Sequence, residues 1–364
     1  MKIIITQENL RNGLSVVSRV VGNSSTLPIL NNVLLETENG LLKLSGTNLE
    51  TGISTYVRCS VEKEGAICLG VKTLTDLVNS LPQGNITIDA EEFETKITTE
   101  HTSVNIKHLT SDDFPLIPKI EDGGKAVLDP VVMKNALDQV IFAASTSETQ
   151  PEISGILFWF GGKNLLLTAT DRYRLAEKSI SYSGGLDYKI IVPHKSAQEI
   201  ARLLATMDKE VEMSVTATQL AFSLDNTYVV TRLIDGQYPD YQQILPETSN
   251  TNIILDRQEL LSALKTTSVF SRGSGSINIE FNSEENILKL SSISHDLGQS
   301  TVDIVCKVNG PSGALIMNYR YLLDFLNNYN EETLVMKVID DAAAVTFTPE
   351  SEDKYLYLVM PIKQ

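Results

Sequence analysis

The sequence predicts an α+β protein of three tandem, similar domains, each a doubled strand–helix–strands unit with two helices packed on antiparallel sheets. Three observations predict it. Two different strand–helix patterns each recur three times in the 364 residues. Period-two hairpin patterns fill the space between them. Phe-Pro and Tyr-Pro punctuation falls about one repeat apart, and proline favours leaving a sheet.

The first pattern reads "KIIITQENLRNGLSVV" from Lys2, "AVLDPVVMKNALDQV" from Ala126 and "IILDRQELLSALKTT" from Ile253. Ile5, Leu128 and Leu255 correspond, as do Leu10, Met133 and Leu260, and Leu14, Leu137 and Leu264, at steps of 123 and 127 residues. Thr6, Asp129 and Asp256 take the N-cap position, where a side-chain oxygen satisfies a free backbone N–H. Pro130 suits the first helical position. The second pattern reads "ICLGVKTLTDLVNSL" from Ile67, "IIVPHKSAQEIARLL" from Ile190 and "LIMNYRYLLDFLNNY" from Leu315. Lys72, Lys195 and Arg320 align, with Leu77, Ile200 and Phe325, at steps of 123 and 125. Helices are therefore predicted over 7–21, 72–81, 129–144, 194–207, 256–270 and 319–328.

The remaining segments read as strands. "NVLLETENGLLKLSGT", "GILFWFGGKNLLLTAT" and "INIEFNSEENILKLSS" are hairpins turning at Asn-Gly, Gly-Gly and Glu-Asn. "DDFPLIP" and "GQYPDYQQILP" place Phe114-Pro115 and Tyr238-Pro239 near domain ends. Linkers are placed near 118–125 and 246–251, giving domains over 1–120, 125–247 and 251–364.

Composition excludes several classes. No apolar run approaches the ~20 residues of a membrane span, and the N-terminus lacks a signal-peptide core, so a cytoplasmic protein is expected. Cys59, Cys68 and Cys306 are odd in number and lack metal spacing, which points to structural thiols. His101, His108, His194 and His295 are scattered. "GILFWFGGKN" is not a Walker loop, because Gly155 is one residue too far away and Asn164 replaces Ser/Thr. Asp112-Asp113, Asp340-Asp341 and Glu91-Glu92 read as solvated turns, and "RGSGS" from Arg272 as a loop. No catalytic residue, metal site or cofactor is expected, and the protein is not expected to be an enzyme.

The net charge of −16 argues against a polyanionic partner. The predicted helices carry nine cations against eight anions, so the acid lies elsewhere. Helices sharing one surface would make it far less acidic than the rest; the plainer alternative is a solvated helix face on an acidic protein. "LTATDRYRLAEKSI" concentrates Asp171, Arg172, Tyr173 and Arg174 behind an apolar run. It reads either as the rim of a binding pocket or as a buried strand end with Arg174 in a salt bridge.

Taken in order, "TLPILNNVLLE" from Thr26, "LTATDRYRLA" from Leu167, "IIVPHK" from Ile190, "DGQYPDYQQILP" from Asp235 and the terminal "VMPI" from Val359 give the chain its family likeness. Over its whole length it resembles the bacterial DNA polymerase III beta subunit, the sliding clamp. The resemblance implies a ring-shaped, head-to-tail homodimer of six domains around double-stranded DNA, held topologically and without sequence readout. It implies a pocket between the second and third domains for peptides of the replicative polymerase, the clamp loader and other clamp-binding-motif proteins. By match, that pocket comprises Ile153, Thr170, Arg172, Tyr173, Arg174, Leu175, Pro239, Ile244, Asn318, Tyr321, Met360, Pro361 and Ile362. Arg11, Lys72, Lys134, Lys195, Arg202, Lys265 and Arg320 are expected to face DNA. Val104 and Ile106 are expected to meet Val269 and Phe270 of a second copy. The chain departs from the family in having Arg172-Tyr173 where Gly or Ser then His is frequent. Gln150, Ser24 and Gln243 stand at frequently basic positions, and the chain ends in Lys363-Gln364. The alternative function is a peptide-binding repeat scaffold that does not encircle DNA.

Overall fold

The computed structural model describes all residues except 23–26, 148, 272, 274, 352–353 and 364. Ser24, Thr26, Arg272 and Gln364 therefore lie outside the described residues.

Six α-helices form among the described residues: α1 (Gln7–Val17), α2 (Val71–Ser80), α3 (Pro130–Ile141), α4 (His194–Leu204), α5 (Arg257–Ser268) and α6 (Tyr319–Asn328). The caps are those the sequence predicts. Thr6 accepts from the N–H of Asn9, Asp129 from Val131 and Asp256 from Glu259. Five helices stop short of their predicted ends, α2 by a single residue. The chain after α3, α4 and α5 continues apolar, but its N–H groups bond three residues back, as in Ala144 to Ile141, Met207 to Leu204 and Phe270 to Thr267. That tightening ends the α-helical ladder. Behind α1, the strand Leu41–Thr47 passes so close that a Cβ on Gly46 would lie 2.8 Å from the Val17 carbonyl oxygen. α1 packs on α2, and α5 on α6.

The chain forms two compact units, residues 1–131 with 198–233, and 132–197 with 234–364. The first contains a five-stranded sheet and an eight-stranded sheet. At the middle of the eight-stranded sheet, strand Thr51–Arg58 of the first sequence repeat pairs antiparallel with Thr227–Arg232 of the second, Thr55 opposite Thr227. The second unit contains a nine-stranded and a four-stranded sheet. Here Arg174–Ser181 of the second repeat pairs with Tyr355–Val359 of the third, Leu175 opposite Leu358. Repeats are thus joined by sheets that run through their junctions.

The first hairpin turns at Asn39-Gly40, with φ of 52° and 76°, as Asn-Gly predicts. The second is shifted by one residue: Gly161 pairs with Asn164, so Gly162-Lys163 is the turn, with Gly162 at φ 63°. The third closes over four residues, Asn282 accepting from the N–H groups of Glu284 and Glu285. Strand Gly124–Leu128 begins inside the segment read as a linker. Cys68 is buried, which pushes its thiol up to about 12, and all three cysteines are free.

Candidate functional site

The Asp-Arg-Tyr-Arg cluster forms a tight turn between strands Asn164–Thr170 and Arg174–Ser181. Asp171 folds it: its Oδ1 accepts from the N–H groups of Tyr173 and Arg174, both at 3.0 Å. The Thr170 hydroxyl donates to the Arg174 carbonyl at 2.7 Å and accepts from the Arg172 N–H at 3.2 Å. These bonds hold Arg172 at φ 77°, a conformation that costs any residue but glycine. Tyr173 projects outward, and its carbonyl receives the Met360 N–H at 2.8 Å. The C-terminal segment is tied again by the Ile362 N–H to the Ile316 carbonyl at 2.8 Å.

Arg174 follows the second of the two sequence readings. Its side chain is only 11% exposed, with Nε 2.9 Å from Asp171 and Nη1 2.6 Å from Asp324 of α6. The guanidinium lies 4.6 Å from the Tyr321 ring centroid and 5.6 Å from that of Phe142. Burial works to lower its pKa, but the Tyr357 phenol and both carboxylates raise it more. Arg174 is thus an ion-paired strut under the turn, with two of its nitrogens taken. Tyr321 is fixed from behind, its carbonyl accepting the Tyr357 hydroxyl at 2.9 Å.

Beside the turn, Leu175, Leu157, Leu358 and Tyr241 form one buried cluster, with Met360, Leu245, Trp159 and Tyr238 packed against it. Leu175 is 1% exposed and so lies beneath the surface, while Ile244 (56%) and Ile362 (39%) present open apolar surface. Ile153, Thr170 and Pro361 are also buried; Pro239 is exposed, and Asn318 caps α6 by accepting from the Arg320 N–H. Thr170, Arg172, Tyr173, Arg174, Leu175, Tyr321 and Met360 are linked through these contacts. Ile153 is instead held by Ser145, whose N–H bonds its carbonyl. The sequence reading missed Asp324, 150 positions from Arg174, and Glu177 with Tyr241. Tyr241 donates to Glu177 at 2.5 Å and receives the Thr168 hydroxyl at 3.0 Å. Burial raises the Glu177 pKa, and the Tyr241 bond opposes it.

The cations divide in two. Arg11, Lys72, Lys195 and Lys265 are exposed and form no ion pair among the described residues. Lys134 pairs with Asp138 at 2.7 Å, Arg202 pairs with Glu199, and Arg320 lies 5.8 Å from the Tyr319 ring. The observed helix bounds leave out Arg19, Asp129 and Asp256, so the helices carry eight cations and six anions, a surplus of two.

Val104 and Ile106 lie on Ser103–Lys107, an edge strand of the five-stranded sheet, and are half-exposed. Val269 is exposed at the end of α5, and the Phe270 ring lies beside Gly298 on Gly298–Val305, an edge strand of the four-stranded sheet. Among the described residues no three His, Cys, Asp or Glu side chains are placed to hold a metal, and no helix is long and apolar enough to cross a membrane.

Three models of the DNA polymerase III beta subunit match in succession: the N-terminal domain over residues 1–118, the central domain over 127–240 and the C-terminal domain over 242–363. The Beta sliding clamp of Synechocystis sp. is 32% identical, the match covering all of this chain and 99% of that protein. The Beta sliding clamp of Staphylococcus aureus is 25% identical over the same shares. Among solved structures, the DNA polymerase sliding clamp of Bacillus subtilis superposes with a TM-score of 0.96 at 25% identity, covering 100% of this chain and 99% of that one. A sliding clamp of Pseudomonas aeruginosa bound to griselimycin gives 0.94 at 27%, covering all of both chains.

Proposed function

Because the chain belongs to the DNA polymerase III beta-subunit family, the beta sliding clamps, we propose that it encircles duplex DNA and tethers the replicative polymerase as a non-catalytic processivity factor. The observation that carries this is the match of N-terminal, central and C-terminal clamp domains in order over the full length. The proposed domains are 1–120, 125–247 and 251–364. Two copies associate head to tail, the edge strand bearing Val104 and Ile106 meeting the Val269–Phe270 end of α5; different surfaces meet, so the contact is heterologous and closes after two copies.

In the ring the helices face the hole. Arg11, Lys72, Lys195, Lys265 and Arg320 make transient phosphate contacts, with Lys134 and Arg202 weakened by their own carboxylate partners. Contacts to phosphate carry no sequence information. A helix surplus of two charges inside an acidic protein attracts the backbone weakly, as sliding requires. Retention then comes from ring closure.

Partner peptides bind beside the turn at 171–173, with Met360, Ile362 and Ile244 as apolar walls over Leu175. Burying a Leu and a Phe side chain contributes roughly 3–6 kcal/mol gross. Association costs offset much of it, leaving a micromolar-class complex of about −8 kcal/mol. Removing residues 360–364 deletes one wall. In a direct titration, a peptide with Gln followed by Leu and Phe should bind the full chain and fail to bind the truncated one. Equal binding by both would misplace the pocket. The scaffold alternative draws on Ser24 and Gln150, which stand at frequently basic loop positions, and it predicts peptide binding without retention on DNA.

A further inference from the structure

The turn at 170–175 has a copy 123 residues earlier, at 47–52. There the Thr47 hydroxyl donates to the Thr51 carbonyl and accepts from the Leu49 N–H, and Asn48 Oδ1 accepts from Glu50 and Thr51. Leu49 has φ 73°, against 77° for Arg172. The Arg232 N–H bonds the Glu50 carbonyl as Met360 bonds Tyr173. Each of these bonds has its counterpart at 170–175, which fixes the correspondence of the two sheets residue by residue. Ser45 answers to Thr168, Ser54 to Glu177 and Glu36 to Trp159. Phe114-Pro115 answers to Tyr238-Pro239, which puts Ile117 in the place of Tyr241.

The packing agrees. Tyr241 clusters with Leu175; Ile117 covers Gly52, the counterpart of Leu175, where an added Cβ would meet Ile117 Cγ2 at 2.9 Å. In the second unit the Tyr241 ring spans the sheet face and its hydroxyl reaches Thr168 and Glu177. In the first unit smaller side chains hold the same positions, and a cavity of about 560 Å³ remains, lined by Ser45 and Ser54 together with Ile117 and Ile120. The corresponding face of the second unit keeps a cavity along Trp159 and Lys189, and its lining does not include Thr168 or Glu177. Ser45 and Ser54 are buried polar groups whose hydroxyls bond each other at 3.0 Å. Leu116, 96% exposed, stands among the lining residues. A volume of this size falls within the range of about 300–1,000 Å³ typical of ligand sites.

We propose that this cavity is a second docking site, which takes a tyrosine side chain from an exposed segment of a partner protein. The incoming ring takes the place that Tyr241 fills in the second unit, packing under Ile117 and Ile120. Its hydroxyl joins the Ser45–Ser54 pair, as the Tyr241 hydroxyl joins Thr168 and Glu177. The site shares no residue with the turn at 171–173, so the two can be occupied independently.

The test is a titration of the full-length protein, with ¹³C-labelled isoleucine methyls, using capped tripeptides Ala-Tyr-Ala, Ala-Phe-Ala and Ala-Ala-Ala. The tyrosine peptide should shift the Ile117 and Ile120 methyls saturably, more tightly than the phenylalanine peptide, and the alanine peptide should not. Ile117→Tyr supplies the ring from within and should abolish the Ile120 shift. Ser54→Val should leave the fold intact and erase the preference for tyrosine over phenylalanine, which keeps the test decisive should Ile117→Tyr fold poorly. The proposal is overturned if the tyrosine peptide leaves both methyls unmoved, if alanine shifts them equally, or if Ser54→Val retains the full preference.

Discussion

The Nη1 of Arg174 lies 2.6 Å from Oδ2 of Asp324, so one ion pair ties the strand that leaves the 171–173 turn to helix α6. Arg174 also keeps Asp171 at 2.9 Å, and the two pairs are not equivalent. Asp324 is about half exposed, so its pair with Arg174 is screened. Asp324→Ala should cost about 1 kcal/mol or less. Arg174→Ala removes both pairs and the packing on Tyr321, and should cost about 3–5 kcal/mol. Urea unfolding of the two variants checks the ranking; equal losses would mean that neither the Asp171 pair nor the packing on Tyr321 contributes.

Arg172 occupies the left-handed region, at φ 77°. A β-branched residue there should cost about 1–3 kcal/mol more than glycine. Arg172→Gly should therefore melt several degrees above Arg172→Val, and the wild type should fall between. A melting order with valine highest would remove the strain.

Glu177 is half-buried against Tyr241, and burial raises its pKa. A raised carboxyl pKa means that the folded state holds the proton more tightly, so this group favours folding at low pH. That contribution is lost as pH rises through the folded value. Glu177→Gln should flatten stability against pH in the window between about 4.3, the ordinary glutamate value, and the raised one. At neutral pH it should be neutral or stabilising. A large loss at neutral pH would show that the charged Tyr241–Glu177 bond outweighs desolvation.

Ile106→Asp together with Phe270→Asp places charge on both apolar surfaces proposed to meet. Sedimentation should then report monomers at micromolar concentration, with an unchanged fold by circular dichroism. A double variant that stays dimeric would put the interface elsewhere.

The strands and helices were legible because burial repeats. Ile5, Leu10 and Leu14 and their counterparts at successive steps of 123 and 127 residues are all buried in the structure. Helix ends were read too long where apolar residues such as Val20, Ala144 and Phe270 continue past the last α-helical bond, since periodicity reports burial and not hydrogen bonding. The turn at 171–173 was legible as a charged cluster, but Arg174's commitment to Asp324 was not. That partner comes from another repeat, and a helix carboxylate in isolation resembles any solvated one. The depth of Leu175 was not legible either: its apolar character does not distinguish an open wall from the buried cluster in which it lies, with Met360 packed against it.

In the proposed function, ring closure more than affinity retains this protein on DNA. The most direct measurement loads the labelled protein onto nicked circular DNA with a clamp loader and follows the bound fraction before and after a single restriction cut. Slow loss from the circle, little changed by added salt, and rapid loss after linearisation is the predicted result. Equal loss from circular and linear DNA, or release from the circle by moderate salt, would contradict it.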